Sequence, residues 1–157
     1  MSNHEKFMRM AIELSEYNVK NNHGGPFGAV IVKDGMVIAR SGNRVVPDND
    51  PTAHAEVSAI RLACKELQTF NLEGCEIYTS CEPCPMCLSA IYWAHLDKIY
   101  YANDKIDAAT IGFDDKFIYD EIACEMKDRK IPVVQLLRDE AQRAFKLWQT
   151  SETKTHY

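Results

Sequence analysis

The 157-residue sequence predicts an α/β fold in which a central sheet is flanked by helices. Three observations predict it. Amphipathic helical stretches alternate with short apolar runs; the dipeptide Asp34-Gly35 joins two of those runs as a hairpin; and the length suits one domain, expected to span residues 1–157, with no repeat, low-complexity tract or linker to divide it.

Phe7, Met10, Ala11, Leu14 and Tyr17 recur at three- and four-residue steps, which is one face of an amphipathic helix over residues 5–21. Asn22-His23-Gly24-Gly25-Pro26 then breaks the chain. Ala29-Val30-Ile31-Val32 and Met36-Val37-Ile38-Ala39 flank Asp34-Gly35, the pattern of two antiparallel strands. The prolines and capping residues between Val46 and Thr52 favour a second helix that begins near Thr52 or Ala53 and runs to about Leu67. Residues 75–79 alternate as a strand, residues 81–87 form a proline-punctuated turn, residues 88–95 suit a third helix and residues 99–102 the next strand. Farther on, Ile131-Pro132-Val133-Val134 is expected to be a last strand, and Ala141, Ala144, Phe145 and Trp148 mark a final amphipathic helix; residues 107–128 carry no clear periodicity.

Composition narrows the function classes. Hydrophobic residues at 46% and charged residues at 26% are the balance of a chain that folds rather than one that stays disordered. A formal net charge of -5 repels polyanions, so a small uncharged substrate is expected and a nucleic-acid partner is not. No apolar stretch approaches the roughly 20 residues of a membrane span, and the first residues lack the basic and apolar regions of a secretory signal, so a cytoplasmic protein with no membrane partner is expected. In that compartment the six cysteines are expected to be reduced, metal-bound or buried rather than paired.

Two strings carry chemistry: His54-Ala55-Glu56 and Pro83-Cys84-Pro85-Met86-Cys87, each at the expected start of a helix. Cys84 and Cys87, three apart, can grip one ion, and the positive end of the helix dipole favours their thiolates. With His54 as third ligand they form a two-cysteine, one-histidine zinc site whose fourth tetrahedral position is open to water. Such an ion lowers the pKa of its water toward roughly 7, and a neighbouring carboxylate, here Glu56, can then move protons. His54 and Glu56, two apart, would diverge within a regular helix, so they must sit at its end.

Blander readings stand beside this one. A bare CxxC is more often a redox dithiol or half of a structural site, and Cys81 could close a Cys3His cluster used only for folding. His54 alone reads as a structural histidine and Glu56 alone as solvated helix surface. Their joint occurrence decides: H-x-E followed by P-C-x-x-C is the recognised signature of zinc-dependent base deaminases, matched here without a substitution.

At these residues the sequence resembles the cytidine-deaminase-like zinc deaminase superfamily. Longer strings, Gly24-Gly25-Pro26-Phe27-Gly28-Ala29-Val30-Ile31-Val32, Asn49-Asp50-Pro51-Thr52-Ala53-His54-Ala55-Glu56-Val57, Tyr78-Thr79-Ser80-Cys81-Glu82-Pro83-Cys84-Pro85-Met86-Cys87, Gly112-Phe113-Asp114-Asp115 and the terminal Tyr157, resemble the bacterial guanine deaminases within it, over essentially the whole chain. The resemblance implies a three-layer α/β/α cytidine-deaminase-like fold with a central mixed sheet, and one zinc ion per subunit on His54, Cys84 and Cys87 with a catalytic water. It implies hydrolysis of guanine to xanthine and ammonia, with Glu56 as proton shuttle, Asp115 and Tyr157 binding the base and assisting proton movement, and Phe27, Asn43, Ala55 and Trp93 contacting it. It also implies a homodimer in which the C-terminal segment, about residues 138–157, is exchanged, placing Tyr157 in the partner's site. The His-Ala-Glu and PCPMC strings are shared with tRNA adenosine deaminases and cytosine deaminases, so they specify mechanism more sharply than substrate; adenosine in tRNA, cytosine and ammeline are the alternatives, and a folding-only zinc module is the non-enzymatic one. Outside the resemblance, Asp114 and Asp115 read as an exposed acidic turn, residues 150–157 as a frayed tail, Phe27 and Trp93 as core aromatics and Asn43 as a strand-end residue. Cys64, Cys75 and Cys124 carry no assigned role, and Cys81 is expected to support the metal ligands.

Overall fold

The first helix, α1 (Asn3–Lys20), starts where Ser2 caps it by accepting a hydrogen bond from the Glu5 N–H at 3.3 Å, and it buries Phe7, Ala11 and Asn18. This computed structural model describes residues 2–157. Strands β1 (Gly28–Lys33) and β2 (Met36–Gly42) pair antiparallel across Asp34 and Gly35, whose φ values of 50° and 76° are the two positive torsions that a tight hairpin turn requires. The hairpin leads through a short helix, α2 (Val45–Asp48), into α3 (Ala55–Leu67). Strand β3 (Cys75–Cys81) pairs antiparallel with β1, and after α4 (Pro85–Trp93) strand β4 (Lys98–Asn103) returns parallel to β3. The sheet is therefore mixed, in the order β2-β1-β3-β4, with β4 at one edge.

Alternation along β1 distributes its side chains to two cores. Val30 and Val32 join Phe7, Ala11 and Tyr78 beneath α1, whereas Ala29 and Ile31 join Ala55, Ala59, Ala63, Ile77 and Ile91 beneath α3 and α4. The three-layer α/β/α arrangement follows, with α1 on one face and α3 and α4 on the other. Each fully buried Val or Ile contributes about 1.5–3 kcal/mol to holding the layers together. Close approach of α1 to β1 depends on Gly28: a Cβ there would collide with the Ala11 carbonyl oxygen and lie 2.8 Å from the Leu14 Cβ.

Several boundaries differ from the sequence reading. Helix α3 begins at Ala55 rather than Thr52 or Ala53, and α4 begins at Pro85 rather than Leu88. The unassigned stretch holds α5 (Lys105–Thr110), started by an Asp104–Asp107 capping box, then α6 (Lys116–Ala123) and a 3-10 turn, Met126–Asp128. The strand expected at residues 131–134 is not formed: these residues have no regular structure, Val134 is 75% exposed, and Pro132 lacks the N–H that a ladder needs. The final helix is present as α7 (Arg138–Thr150).

The chain divides into two compact units, Met1–Lys116 and Phe117–Tyr157. The sheet belongs to the first. In the second, neither α6 nor α7 buries a side chain, and Leu136, Leu137, Phe145 and Leu147 are each about 70% exposed or more. Among the described residues, no helix is long and apolar enough to cross a membrane.

Candidate active site

Two helix N-termini on the same face of the sheet build the site. His54 is the N-cap of α3 and Cys84 the N-cap of α4, both with extended backbone (φ -62°, ψ 158° and φ -65°, ψ 169°) and neither using its side chain as a cap. Their carbonyls start the helices, accepting from the N–H of Ser58 at 2.9 Å and of Leu88 at 2.8 Å, which leaves the imidazole and thiol free for other work. Pro85 fits the first turn of α4 because its fixed φ is helical and its missing N–H would have had no partner. This answers the spacing problem: His54 precedes the helix and Glu56 lies in its first turn, so the two side chains leave from different backbone geometries and can converge.

The donor atoms of His54, Cys84 and Cys87 lie within 4.8 Å of one another and form the metal-competent group found among the described residues. His54 Nδ1 is 3.6 Å from Cys84 Sγ and 3.4 Å from Cys87 Sγ. Zinc bonds of about 2.3 Å to sulfur and 2.0–2.1 Å to nitrogen at tetrahedral angles separate such donors by about 3.5 Å, so the residues fit the ion.

Electrostatics around the triad are lopsided in a way that suits a cation. In the metal-free chain, the Cys87 S–H bonded to Cys84 pulls the Cys84 thiol down to about 4, with His54 helping. The same hydrogen bond, together with burial, pushes Cys87 upward. His54 is raised, first by its hydrogen bond to Cys84. Glu56 is buried, accepts from Cys87 Sγ at 3.4 Å, and is raised chiefly by desolvation. A buried carboxyl beside a cation-binding pair of thiols can hold a proton and give it up, which is the equipment of an acid–base shuttle.

Cys81 does not join the triad. Its thiol is turned to the Asp104 carbonyl, to which it donates at 3.7 Å, and the metal-competent group among the described residues is made by His54, Cys84 and Cys87 without it. That favours three protein ligands over the closed four-ligand cluster.

The residues expected to contact substrate separate into three groups. Asp115 lies within electrostatic reach of the triad: burial raises its carboxyl first, and the negative charge of Cys84 raises it further. Ala55 is fully buried between His54 and Glu56, where helix N–H groups have no intrahelical partner. Phe27 and Asn43 are tied together, Asn43 N donating to the Phe27 carbonyl at 2.9 Å, and Phe27 packs edge-on against Phe113 at 5.0 Å. Trp93, 68% exposed, ends α4, eight residues and so roughly 12 Å along the axis from the helix start that bears Cys84. Tyr157, 74% exposed, belongs to the C-terminal unit.

Two residues near these were not singled out in the sequence. Phe113 stood inside the quoted GFDD string, and its neighbour Asp115 was the signal that could have drawn it in. Asn18 was visible as the polar residue on the apolar stripe Phe7, Ala11, Leu14, which it continues four residues on.

Comparison with known proteins bears on the same residues. Residues 1–103 match the family model for the cytidine and deoxycytidylate deaminase zinc-binding region. A guanine deaminase of Bacillus subtilis (strain 168) is 52% identical over 155 residues, 99% of both chains. A solved structure of guanine deaminase from Bacillus subtilis superposes with a TM-score of 0.96 at 51% identity, covering 100% of this chain and 99% of that one. A single-residue variant of another protein, solved in complex with 8-azaguanine, is 33% identical with a TM-score of 0.68 and covers 94% of this chain and 85% of that one.

Proposed function

We infer, because the chain belongs to the cytidine and deoxycytidylate deaminase zinc-binding family and resembles guanine deaminase along its whole length, that it hydrolyses guanine to xanthine and ammonia. It is a zinc-dependent enzyme of purine metabolism. The observation that carries the reading is the three-donor group His54, Cys84 and Cys87 with the buried carboxyl of Glu56 against it.

His54, Cys84 and Cys87 would hold one zinc ion per subunit, and that ion would supply the Lewis acidity that makes water nucleophilic at neutral pH. Glu56 takes one proton from the attacking water and delivers it to the ring nitrogen beside the amine-bearing carbon; it then takes the second proton from the hydroxyl formed on that carbon and passes it to the amine, so that the C–N bond breaks as the carbonyl forms, and guanine and water become xanthine and ammonia. Burial serves this role, since it keeps Glu56 away from bulk water and its proton near the base.

The base is proposed to lie between the triad and the Phe27–Phe113 pair, whose apolar rings offer a wall for a purine face. Asn43 Oδ1 accepts from the Val45 N–H at 3.1 Å, so its amide presents Nδ2 as a donor, complementary to the acceptors on guanine O6 and N7 and mismatched with the amino group of adenine. Asp115 would accept from the ring N–H and amine on the opposite edge, with Ala55 offering backbone at the start of α3.

A homodimer in the cytoplasm completes the proposal. The second unit exposes Leu136, Leu137, Phe145 and Leu147, and β4 is an unpaired sheet edge, so both want a covering partner. Exchange of residues 138–157 between copies would bring the partner's Tyr157 to the base, and the exposed Trp93 is assigned a base contact only within that assembly.

Incubating the purified protein with a panel of free bases, nucleosides and tRNA, and measuring ammonia, tests the reaction. Release from guanine, with little from cytosine, ammeline or adenine and none from tRNA, is expected. Release from tRNA alone would overturn the reading.

A further inference from the structure

We propose that Asn18, on the buried face of α1, is the positioning residue that sets the base-facing geometry of Asn43 and Phe27, and through them the affinity for guanine; this rests on the reading that those two residues face the base. Asn18 is only 5% exposed. Its Nδ2 donates to the Asn43 carbonyl at 2.7 Å and to the Gly25 carbonyl at 3.1 Å, so both N–H bonds of one amide are used on the two segments that carry the base-facing side chains. Those segments are also joined to each other by the bond from Asn43 N to the Phe27 carbonyl. One amide thus fixes the backbone of Asn43, while Val45 N–H fixes the turn of its side chain.

The surrounding glycines show that space is kept for this amide. A Cβ at Gly42 would collide with Asn18 Oδ1 and sit 2.9 Å from its Cγ, and a Cβ at Gly24, where φ is +139°, would be 3.2 Å from Asn43 Oδ1. Gly24 also precedes Gly25, whose carbonyl takes the second bond. A polar side chain with no hydrogen bond to His54, Glu56, Cys84 or Cys87 among the described residues, yet bonded to both walls of the base site, acts on binding rather than on the ion.

The test compares Asn18→Ala, Asn18→Ser, Gly42→Ala, Asn43→Ala and the double variant Asn18→Ala/Asn43→Ala in full-length, zinc-loaded protein, reading guanine kcat and KM, zinc per chain and thermal midpoint. Removing the amide, shortening it to a hydroxyl that cannot span both carbonyls, or pushing it with a Cβ at position 42 should each raise KM about tenfold or more while kcat stays within about threefold and zinc is retained. The double variant should raise KM by less than the product of the two single effects, because part of the effect of Asn18 passes through Asn43 and the rest through the Gly25–Phe27 segment. Variants that lose thermal stability but keep the parental KM, in a protein where Asn43→Ala does raise KM, would overturn the proposal and leave the base site intact. If Asn43→Ala itself leaves KM unchanged, the base-site reading fails and the proposal falls with it. Gly42→Ala leaves Asn18 chemically whole, so the series remains decisive should Asn18→Ala not fold.

Discussion

At the scale of single residues, Glu56 carries opposite consequences for chemistry and for stability. As the shuttle it should be indispensable: Glu56→Gln keeps the shape and the partner of Cys87 but cannot accept a proton, so zinc content should persist while guanine turnover falls by about 10²–10⁴-fold, measured by ammonia release. As a buried acid it should be a burden. Desolvation raises its pKa in the folded, metal-free chain above the ordinary value of 4.5, so folding favours the neutral form. Its ionisation therefore costs no stability below the unfolded value, costs progressively more as pH rises from there through the raised folded value, and costs a constant amount beyond it. Glu56→Gln has no such ionisation. The thermal midpoint of the metal-free variant should match or fall slightly below the parent near pH 4 and exceed it at pH 7–8, and a parent that is the more stable of the two at neutral pH would contradict the desolvation account. Catalytic groups held against their preferred charge state are the usual place where function is kept at the expense of stability.

At the scale of elements, the layers meet most closely where α1 crosses β1. Gly28→Ala should destabilise the fold by roughly 1–3 kcal/mol in urea titration, since the added methyl meets backbone and cannot be relieved by a rotamer, and Gly28 N also donates to Ser80 Oγ at 2.9 Å, which limits how far the strand can shift. This contact was not legible in the sequence, where Gly28 falls between the chain break at residues 22–26 and the strand run that starts at Ala29, although the helix and strand that make it were: the stripe Phe7, Met10, Ala11, Leu14 and the hairpin at Asp34-Gly35 follow from periodicity and turn chemistry alone. The three donors and Glu56 were legible for a different reason, because metal chemistry restricts residue type and spacing together. What sequence reasoning displaced was the start of α4, since Pro85 reads as a breaker unless it is recognised as the first helical residue. Elements α5 and α6 escaped because six and eight residues hold too few turns to show a period, and the capping box at Asp104 was the remaining cue. The run Ile131-Pro132-Val133-Val134 has the composition of a strand, but composition supplies no neighbour, and within this chain it has none in a ladder.

At the scale of the whole molecule, the same missing neighbour connects the C-terminal unit to the proposed dimer. A 41-residue unit with no buried side chain in either of its helices gains little from folding alone, and below about 40 residues an added source of stability is usually needed. A second copy is the simplest such source, because a two-fold pair satisfies both exposed C-terminal units with one kind of contact. If residues 138–157 are exchanged, each site is composite: Glu56 from one subunit, Tyr157 from the other. Two dead chains should then rescue each other. A Glu56→Gln chain still offers its Tyr157, and a chain ending at His156 still offers its Glu56, so a mixed dimer contains one site with both groups and one with neither. Unfolding the two inactive proteins together and refolding them with zinc should restore about a quarter of the parental activity, since random pairing makes half the dimers mixed and half of their sites complete. Refolding each alone should restore none. If Tyr157 instead serves the site of its own chain, the mixture stays inactive, because no single chain then holds both groups; and if the chain ending at His156 is fully active by itself, the tail has no part in catalysis.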